Sequence, residues 1–346
     1  SSSIHMTSRR LLLRYPESAA LYSKMHYVRI LVGQLRGDKA RKKSAQEELW
    51  RGQCGDAYWH GNGGGLLNLP IRAAAYSSLI DAERITRSKG IFSPGIIRAD
   101  LDFDGEKEIL YQGSDYNAYI KLEDASLAEF DSFRSLTNYV NAMEGAGRLH
   151  CFVDIIGRSG HFGRPKDESD QGRYYLVDGA KSMMSAEFSA VFPAHTKNGT
   201  KSLRVGKTFA FRKANVGVHY CLSNESDEPV SIRFSTILNM TLGNCLEAMA
   251  LRLDGQLVSI GSSPENMYEN PSVDSFLFEN RSGAEKLEFR SERAFAMRLE
   301  PIYMKAEIGG KTERLFQGSR VRLGWDLIIA ARSDELISVN LELTRL

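Results

Sequence analysis

Cysteine is scarce and scattered. The four thiols, Cys54, Cys151, Cys221 and Cys245, include no pair at C-x-x-C spacing, which argues against a zinc framework and leaves reduced thiols as the simplest reading. No apolar run approaches the roughly 18 residues of a membrane-spanning helix, and no secretory leader is visible; a cytoplasmic protein without membrane contact is the expectation. The 7 histidines never fall as HxH or HExxH, and neither a Gly-x-Ser-x-Gly elbow nor a phosphate-binding loop occurs. There is no internal repeat and no low-complexity tract.

What is present is an ordinary globular composition, 42% hydrophobic and 25% charged, over a length that suits one to three domains. The opening SSSIHM reads as the end of a tag and a start Met, so residues 1–6 are set aside. Net charge is +2, unevenly placed. Residues 1–89 carry 15 Lys and Arg against 7 Asp and Glu, +8, and the remainder is −6. A basic first quarter can signal nucleic acid. These basic residues, however, share helices with apolar stripes, so a solvated face or a docking face for another domain is the preferred reading and no nucleic-acid partner is expected.

The first 90 residues have helical periodicity. Leu21, Met25, Val28, Val32 and Leu35 lie on one helical face behind Pro16. Gly37 breaks that helix, and Asp38 caps a second that runs to about Trp50. Pro70 opens a third, with Ile71, Ala74, Ala75, Ser78, Leu79, Ala82 and Ile85 on one side and Gly90 as its stop. From about residue 95 the period becomes two. Val216, Val218, Tyr220 and Leu222 alternate with small or polar residues, as do Val230 to Leu238 and Ile337 to Leu343; Asp254-Gly255 reads as a hairpin turn. About fourteen such strands predict a mainly β protein, a large antiparallel β-sandwich preceded by a small helical bundle. The divisions are 7–92 for the helical segment and 93–346 for the sandwich, with the boundary near Lys89–Pro94.

One stretch fits neither period. "QCGDAYWHGNGGG", Gln53 to Gly65, sets Asp56, Tyr58, Trp59 and His60 beside four glycines in five residues. Aromatic rings can stack on the C–H face of a sugar. Asp56 and His60 can hydrogen-bond hydroxyls, and glycines let backbone approach a ligand closely. The residues therefore suggest a carbohydrate subsite; the competing reading is a core Trp and a simple chain turn.

The longer string "EELWRGQCGDAYWHGNGGGLLNLPIRAAAYSSLIDAE" closely resembles glycoside hydrolase family 57, of the 4-alpha-glucanotransferase and alpha-amylase type, which carries Q-C-N-D-A-Y-W-H-G-x-F-G-G-x-Y-L-P-H-L-R. Gln53, Cys54, Asp56, Ala57, Tyr58, Trp59, His60, Gly61, Gly64, Pro70 and Arg72 match; Gly55, Gly63, Asn68 and Ile71 depart. "RRLLLRYPESAALYSKMHYV" is similar to the segment after the family's catalytic barrel, and "DLDFDGEKEILYQGSDYNAYI" to the start of its C-terminal β-domain. The resemblance implies a galactose-mutarotase-like sandwich. It also implies that this chain is the non-catalytic C-terminal part of an enzyme acting on alpha-1,4-glucans by a retaining double displacement. The catalytic carboxylates would belong to the missing barrel, which becomes a partner alongside an alpha-glucan or maltooligosaccharide. Asp56, Tyr58, Trp59 and His60 would bind substrate, and no residue of this chain would be catalytic. The alternative is a stand-alone carbohydrate-binding or scaffolding β-sandwich without enzyme activity.

Three other features invite a role. Asp102, Asp104 and Glu106 sit at alternate positions and could hold calcium, although a tight turn at Asp104-Gly105 is the preferred reading. The polar stretch Gly157 to Gly172, with Arg158, His161, Arg164 and Asp167, reads as a surface loop able to reach a neighbouring cleft. His150, His195 and His219 would be the acid–base candidates if the sandwich were a sugar mutarotase in its own right, a reading with no supporting motif.

Overall fold

The computed structural model describes residues 16–61, 63–88, 92–102, 104–145, 147–160, 162, 173–177, 184–196, 199–241, 249–258 and 267–346. Three helices come first: α1 (Pro16–Gln34), α2 (Lys39–Gly52) and α3 (Leu69–Arg87). Asp38 caps α2 as expected, its carboxylate accepting from the Arg41 backbone N–H at 2.9 Å. Leu21, Val28, Val32, Leu49, Tyr76 and Leu79 form the helical core. On α3 the expected stripe packs at Ala75, Leu79 and Ala82, with Ile71 and Ile85 against the same core and Ala74 exposed, and the buried face is wider than the stripe, taking in Arg72, Tyr76, Ile80 and Glu83 as well.

Nineteen strands follow among the described residues. Five form an antiparallel meander in sequence order: Gly95–Ala99, Glu108–Gln112, Tyr116–Ile120, Leu127–Ser132 and Thr137–Asn138. Two, Met143–Glu144 and Gly147–Arg148, make a small hairpin. The other twelve belong to one curled antiparallel sheet. Its curl follows from the 24-residue strand Glu285–Ile308. The first part of this strand pairs with the C-terminal strand Ser333–Arg345, and from Ala296 onward it pairs with Lys311–Ile329. One strand thus feeds two leaves, and each leaf turns its apolar face to the other. Phe209, Val218, Tyr220, Phe234, Phe289 and Trp325 lie in the shared core, where each large apolar side chain contributes about 1.5–3 kcal/mol by leaving water.

The period-two runs fall where expected. Val216, Val218, Tyr220 and Leu222 are buried on Asn215–Asn224, and Ile337, Val339, Leu341 and Leu343 on the last strand. Asp254 and Gly255 both have positive φ, 49° and 76°, the backbone of a tight hairpin turn joining Leu253 to Gln256.

The five-stranded sheet is the middle layer, and its two faces differ. On Tyr116–Ile120, residues Tyr116, Ala118 and Ile120 face the β core. The alternate residues Asn117 and Tyr119 hydrogen-bond Glu83 of α3 and Lys24 of α1. All five are buried, so the strand carries apolar residues toward one layer and polar residues toward the helices. The junction between helices and sheet is a buried polar network rather than an apolar seam.

Candidate functional site

The Gln53–Gly65 stretch links α2 to α3 through two short 3-10 turns, Gly55–Ala57 and Gly65–Leu67. Its backbone is closed on itself. The Trp59 carbonyl accepts from Gly61 N–H at 3.1 Å and from Leu66 N–H at 2.9 Å. Gly64 and Gly65 have φ of 85° and 49°, and a Cβ on Gly65 would stand 1.9 Å from the Trp59 carbonyl oxygen. This glycine is therefore required by close backbone approach. By contrast, a Cβ on Gly61 or Gly63 would meet nothing within 4 Å.

The four residues singled out by sequence divide into two groups. Tyr58 turns inward. Its hydroxyl donates to the Gly52 carbonyl at 2.6 Å, its own carbonyl accepts from Ser18 Oγ–H at 2.9 Å, and burial pushes its phenol well above the usual range. Asp56 and His60 are exposed, and Trp59 keeps 51% of its surface in solvent. An indole left half in water next to a carboxylate and an imidazole, on a loop whose turns are pinned, can stack on a flat apolar face and hydrogen-bond its rim.

The loop is also tied to the β layer. Arg72 on α3 is 1% exposed. Its guanidinium donates to Asn141 Oδ1 at 2.9 Å, to the Asn141 carbonyl at 2.7 Å, to the Leu66 carbonyl at 2.5 Å and to Gln317 Oε1 at 2.7 Å. The Gln317 amide in turn donates to the Leu67 carbonyl at 2.9 Å. Burial lowers the Arg72 pKa to about 9, so the group is still charged at neutrality, held by four neutral acceptors. A second network joins α1 to the middle sheet: Lys24 Nζ donates to Asp131 at 2.5 Å, Tyr119 at 2.7 Å and Glu83 at 3.3 Å. Sequence reasoning missed both networks, although the second carried a signal. Lys24 lies three residues after Leu21 and four before Val28, on the stripe that had to be buried.

Asp102 and Asp104 lie in the turn between Gly95–Ala99 and Glu108–Gln112. Asp104 accepts from the Glu106 N–H at 2.8 Å, as a tight turn requires. Lys121 bridges three carboxylates there, Asp102, Asp104 at 2.9 Å and Glu108 at 2.9 Å. Burial alone would lower its pKa, but the carboxylates outweigh it and hold the ammonium charged. Glu106 is exposed outside this cluster. Among the described residues, the oxygens that approach one another within 4.8 Å, and so could share a cation, belong to Asp100, Asp102 and Glu108.

Of the histidines, His150 Nδ1 lies 2.8 Å from Ser126 Oγ and 4.0 Å from Asp124, and His219 is exposed on Asn215–Asn224. The side chain of His195 lies outside the described residues, as do His161, Arg164 and Asp167 of the polar stretch; Arg158 is exposed. Among the described residues, no helix is long and apolar enough to cross a membrane.

Comparison with known proteins bears on this geometry. Residues 7–86 match the family described as alpha-amylase/4-alpha-glucanotransferase, middle domain, and residues 100–145 match its C-terminal counterpart. An alpha-amylase of Pyrococcus furiosus is 34% identical over 131 residues, 38% of this chain and 18% of its own length. A 4-alpha-glucanotransferase of Thermococcus kodakarensis is 31% identical over 127 residues, 36% of this chain and 18% of its own. The matched part of the chain therefore spans under a fifth of these curated relatives. The crystal structure of 4-alpha-glucanotransferase from Thermococcus litoralis superposes with a TM-score of 0.76 at 17% identity, over 96% of this chain and 50% of that one; at this identity the likeness is one of fold. A galactose mutarotase-like protein from Lactobacillus casei aligns with a TM-score of only 0.46. Matched segments, their order and the fold all agree: the chain resembles the middle and C-terminal domains of the alpha-amylase/4-alpha-glucanotransferase family.

Proposed function

We propose that this chain is the non-catalytic, substrate-side part of a family-57-type enzyme acting on alpha-1,4-glucans. In this reading the bond-breaking carboxylates belong to a separate catalytic barrel working by a retaining mechanism. The Gln53–Gly65 loop supplies a glucan subsite, in which Trp59 stacks on a glucose ring and Asp56 and His60 bind its hydroxyls. Tyr58 supports the loop from beneath. The basic helical segment, with Trp50 and Ile30 exposed beside it, is the face that receives the barrel.

The observation that carries this reading is Trp59: half its surface stays in water although the backbone around it is fixed by the hydrogen bonds of its own carbonyl. A large aromatic held rigid and left exposed is a binding feature more readily than a packing one. Calorimetric titration of maltoheptaose into the chain, with Trp59→Ala in parallel, tests it. Binding that Trp59→Ala removes supports a preformed subsite. Binding indifferent to Trp59 places the glucan elsewhere and ends this assignment of the loop.

A further inference from the structure

A hairpin of the curled sheet ends on the Gln53–Gly65 loop. Its strands, Glu285–Ile308 and Lys311–Ile329, are joined at Gly309-Gly310, whose φ of 59° and 77° suit a tight hairpin turn. Near the sheet both strands have outside partners: Leu299 pairs with Tyr268, and Ser319 with Met240. From Tyr303 to Phe316, among the described residues, the two strands pair only with each other. A two-stranded ribbon is marginal in water unless one face is covered. Residues directly opposite each other share a face, so Met304, Ala306, Ile308 and Leu315 lie on one side and Tyr303, Lys305, Arg314 and Phe316 on the other. The second side is paired within itself. The Tyr303 and Phe316 rings meet edge to face with centroids 5.7 Å apart, and the Arg314 guanidinium stands 4.6 Å over the Tyr303 ring. The first side is covered by the loop. A Cβ on Gly64 would stand 3.2 Å from Leu315 Cδ1 and 3.3 Å from Ile308 Cδ1, so both side chains close on the Gly64 α-carbon.

A bulge aims the base of the ribbon at the same place. The register runs Ile302 opposite Gly318 and then Tyr303 opposite Phe316, which leaves Gln317 as an extra residue. Bulges bend a strand and re-aim a side chain. Here the re-aimed side chain is the buried Gln317, which accepts from Arg72 and donates to the Leu67 carbonyl, while Thr241 Oγ–H holds the Gln317 carbonyl at 3.2 Å. The hairpin therefore meets the loop region twice, at Gly64 through Ile308 and Leu315 and at Leu67 through Gln317. Gly64 is close to Trp59 in the hydrogen-bond pattern. Its N–H donates to the Gly61 carbonyl at 3.0 Å, and the Gly61 N–H donates to the Trp59 carbonyl. A shift of Gly64 is thus carried to Trp59 through two hydrogen bonds, and a site is only as precise as the packing that supports it.

We infer that the Tyr303–Phe316 ribbon is a positioning arm for the Trp59 loop, with Ile308 and Leu315 as its positioning residues. What the loop is positioned for rests on the glucan-subsite reading above; the positioning itself does not.

The chain has three tryptophans, Trp50, Trp59 and Trp325, so the whole chain labelled with 5-fluorotryptophan gives one fluorine resonance for each, assigned with Trp59→Phe and Trp50→Phe. Leu315→Ala and Ile308→Ala empty the contact with Gly64. Leu315→Met conserves its volume, and Lys305→Ala alters the opposite face. Thermal unfolding checks that each variant folds, and calorimetry measures maltoheptaose binding. In both alanine variants the Trp59 resonance should shift or broaden while those of Trp50 and Trp325 stay in place, and maltoheptaose should bind about three- to tenfold more weakly. Leu315→Met and Lys305→Ala should stay near wild type in both measurements. A purely structural contribution would lower the melting temperature without singling out Trp59. A Trp59 resonance unmoved in both folded alanine variants, or moved as much by Lys305→Ala, would overturn the assignment. Wild-type affinity in variants whose Trp59 resonance has moved would overturn the arm's role in binding. If wild type binds no maltoheptaose, the subsite reading fails and the fluorine resonance decides the positioning by itself. If Leu315→Ala fails to fold, Ile308→Ala, beside the exposed Gly309-Gly310 turn, decides alone.

Discussion

Arg72 Nη2 lies 2.7 Å from Gln317 Oε1, joining residues 245 positions apart. One partner is on the helix that leaves the glycine-rich loop, the other on a strand of the curled sheet near the end of the chain. Arg72 also holds the Leu66 carbonyl and Gln317 the Leu67 carbonyl, so this pair sets where the loop sits relative to the β layers. Arg72→Met should leave the Leu66 and Asn141 carbonyls and Gln317 Oε1 without their donor. A loss of about 3 kcal/mol in unfolding free energy is expected, since each orphaned buried acceptor costs about 1–3 kcal/mol and relaxation recovers part. Urea denaturation measures it; a loss below about 1 kcal/mol would show that the guanidinium is not the staple described.

The glycines of the loop should respond unequally to alanine. Gly65→Ala forces a Cβ to within 1.9 Å of the Trp59 carbonyl oxygen, so the loop must shift. Trp59 emission should change, and stability should fall by more than about 2 kcal/mol. Gly61→Ala and Gly63→Ala face open space and should lie within about 0.5 kcal/mol of wild type. Fluorescence and thermal denaturation of the three variants separate a positional requirement from general flexibility.

Acid should expose Asp124. Burial alone would raise its carboxyl, but the His150 ring and hydrogen bonds from Ser126 outweigh that and hold its pKa at about 2, below the ordinary 3.8. A carboxyl depressed in the folded state stabilises it above the unfolded pKa, and that contribution disappears as pH falls through the folded one. The window is therefore about pH 4 down to pH 2. Because the Asp124 side chain is 35% exposed, screening limits the effect to about 1 kcal/mol. Asp124→Asn should lose stability at pH 6, and its difference from wild type should shrink toward pH 2. Denaturant midpoints across that range provide the check; a difference that does not change with pH would remove Asp124 from the acid response.

Lys121 stands among carboxylates that could otherwise attract a cation. Lys121→Met leaves Asp102, Asp104 and Glu108 facing one another without their ammonium. The variant should be less stable than wild type at low ionic strength and should recover stability on addition of calcium, whereas wild type should gain little. Thermal unfolding with and without millimolar calcium reads this directly. If calcium stabilises wild type as strongly as the variant, the ion does not compete with Lys121 for these oxygens.

Much of this protein was legible in its sequence because local physics set it. The helical stripe of Leu21, Val28 and Val32, the Asp38 cap, the Asp254-Gly255 turn and the alternation on Asn215–Asn224 each depend on residues within a few positions of one another. The Gln53–Gly65 stretch was conspicuous for the same reason, since no regular element accommodates its composition. Tertiary structure decided the rest. It turned Tyr58 inward and left Trp59 outside, because Gly52 and Ser18 offer bonds to the one and the loop closes behind the other. It widened the buried face of α3 to take in Arg72 and Glu83, which periodicity could not anticipate because a charged residue is assigned to solvent unless its partner is known. Those partners, Gln317 and Asn141 for one and Lys24 and Asn117 for the other, lie on other elements and far along the chain. A buried charge is tolerated only where the fold delivers its counterpart, and that delivery is a property of three dimensions alone.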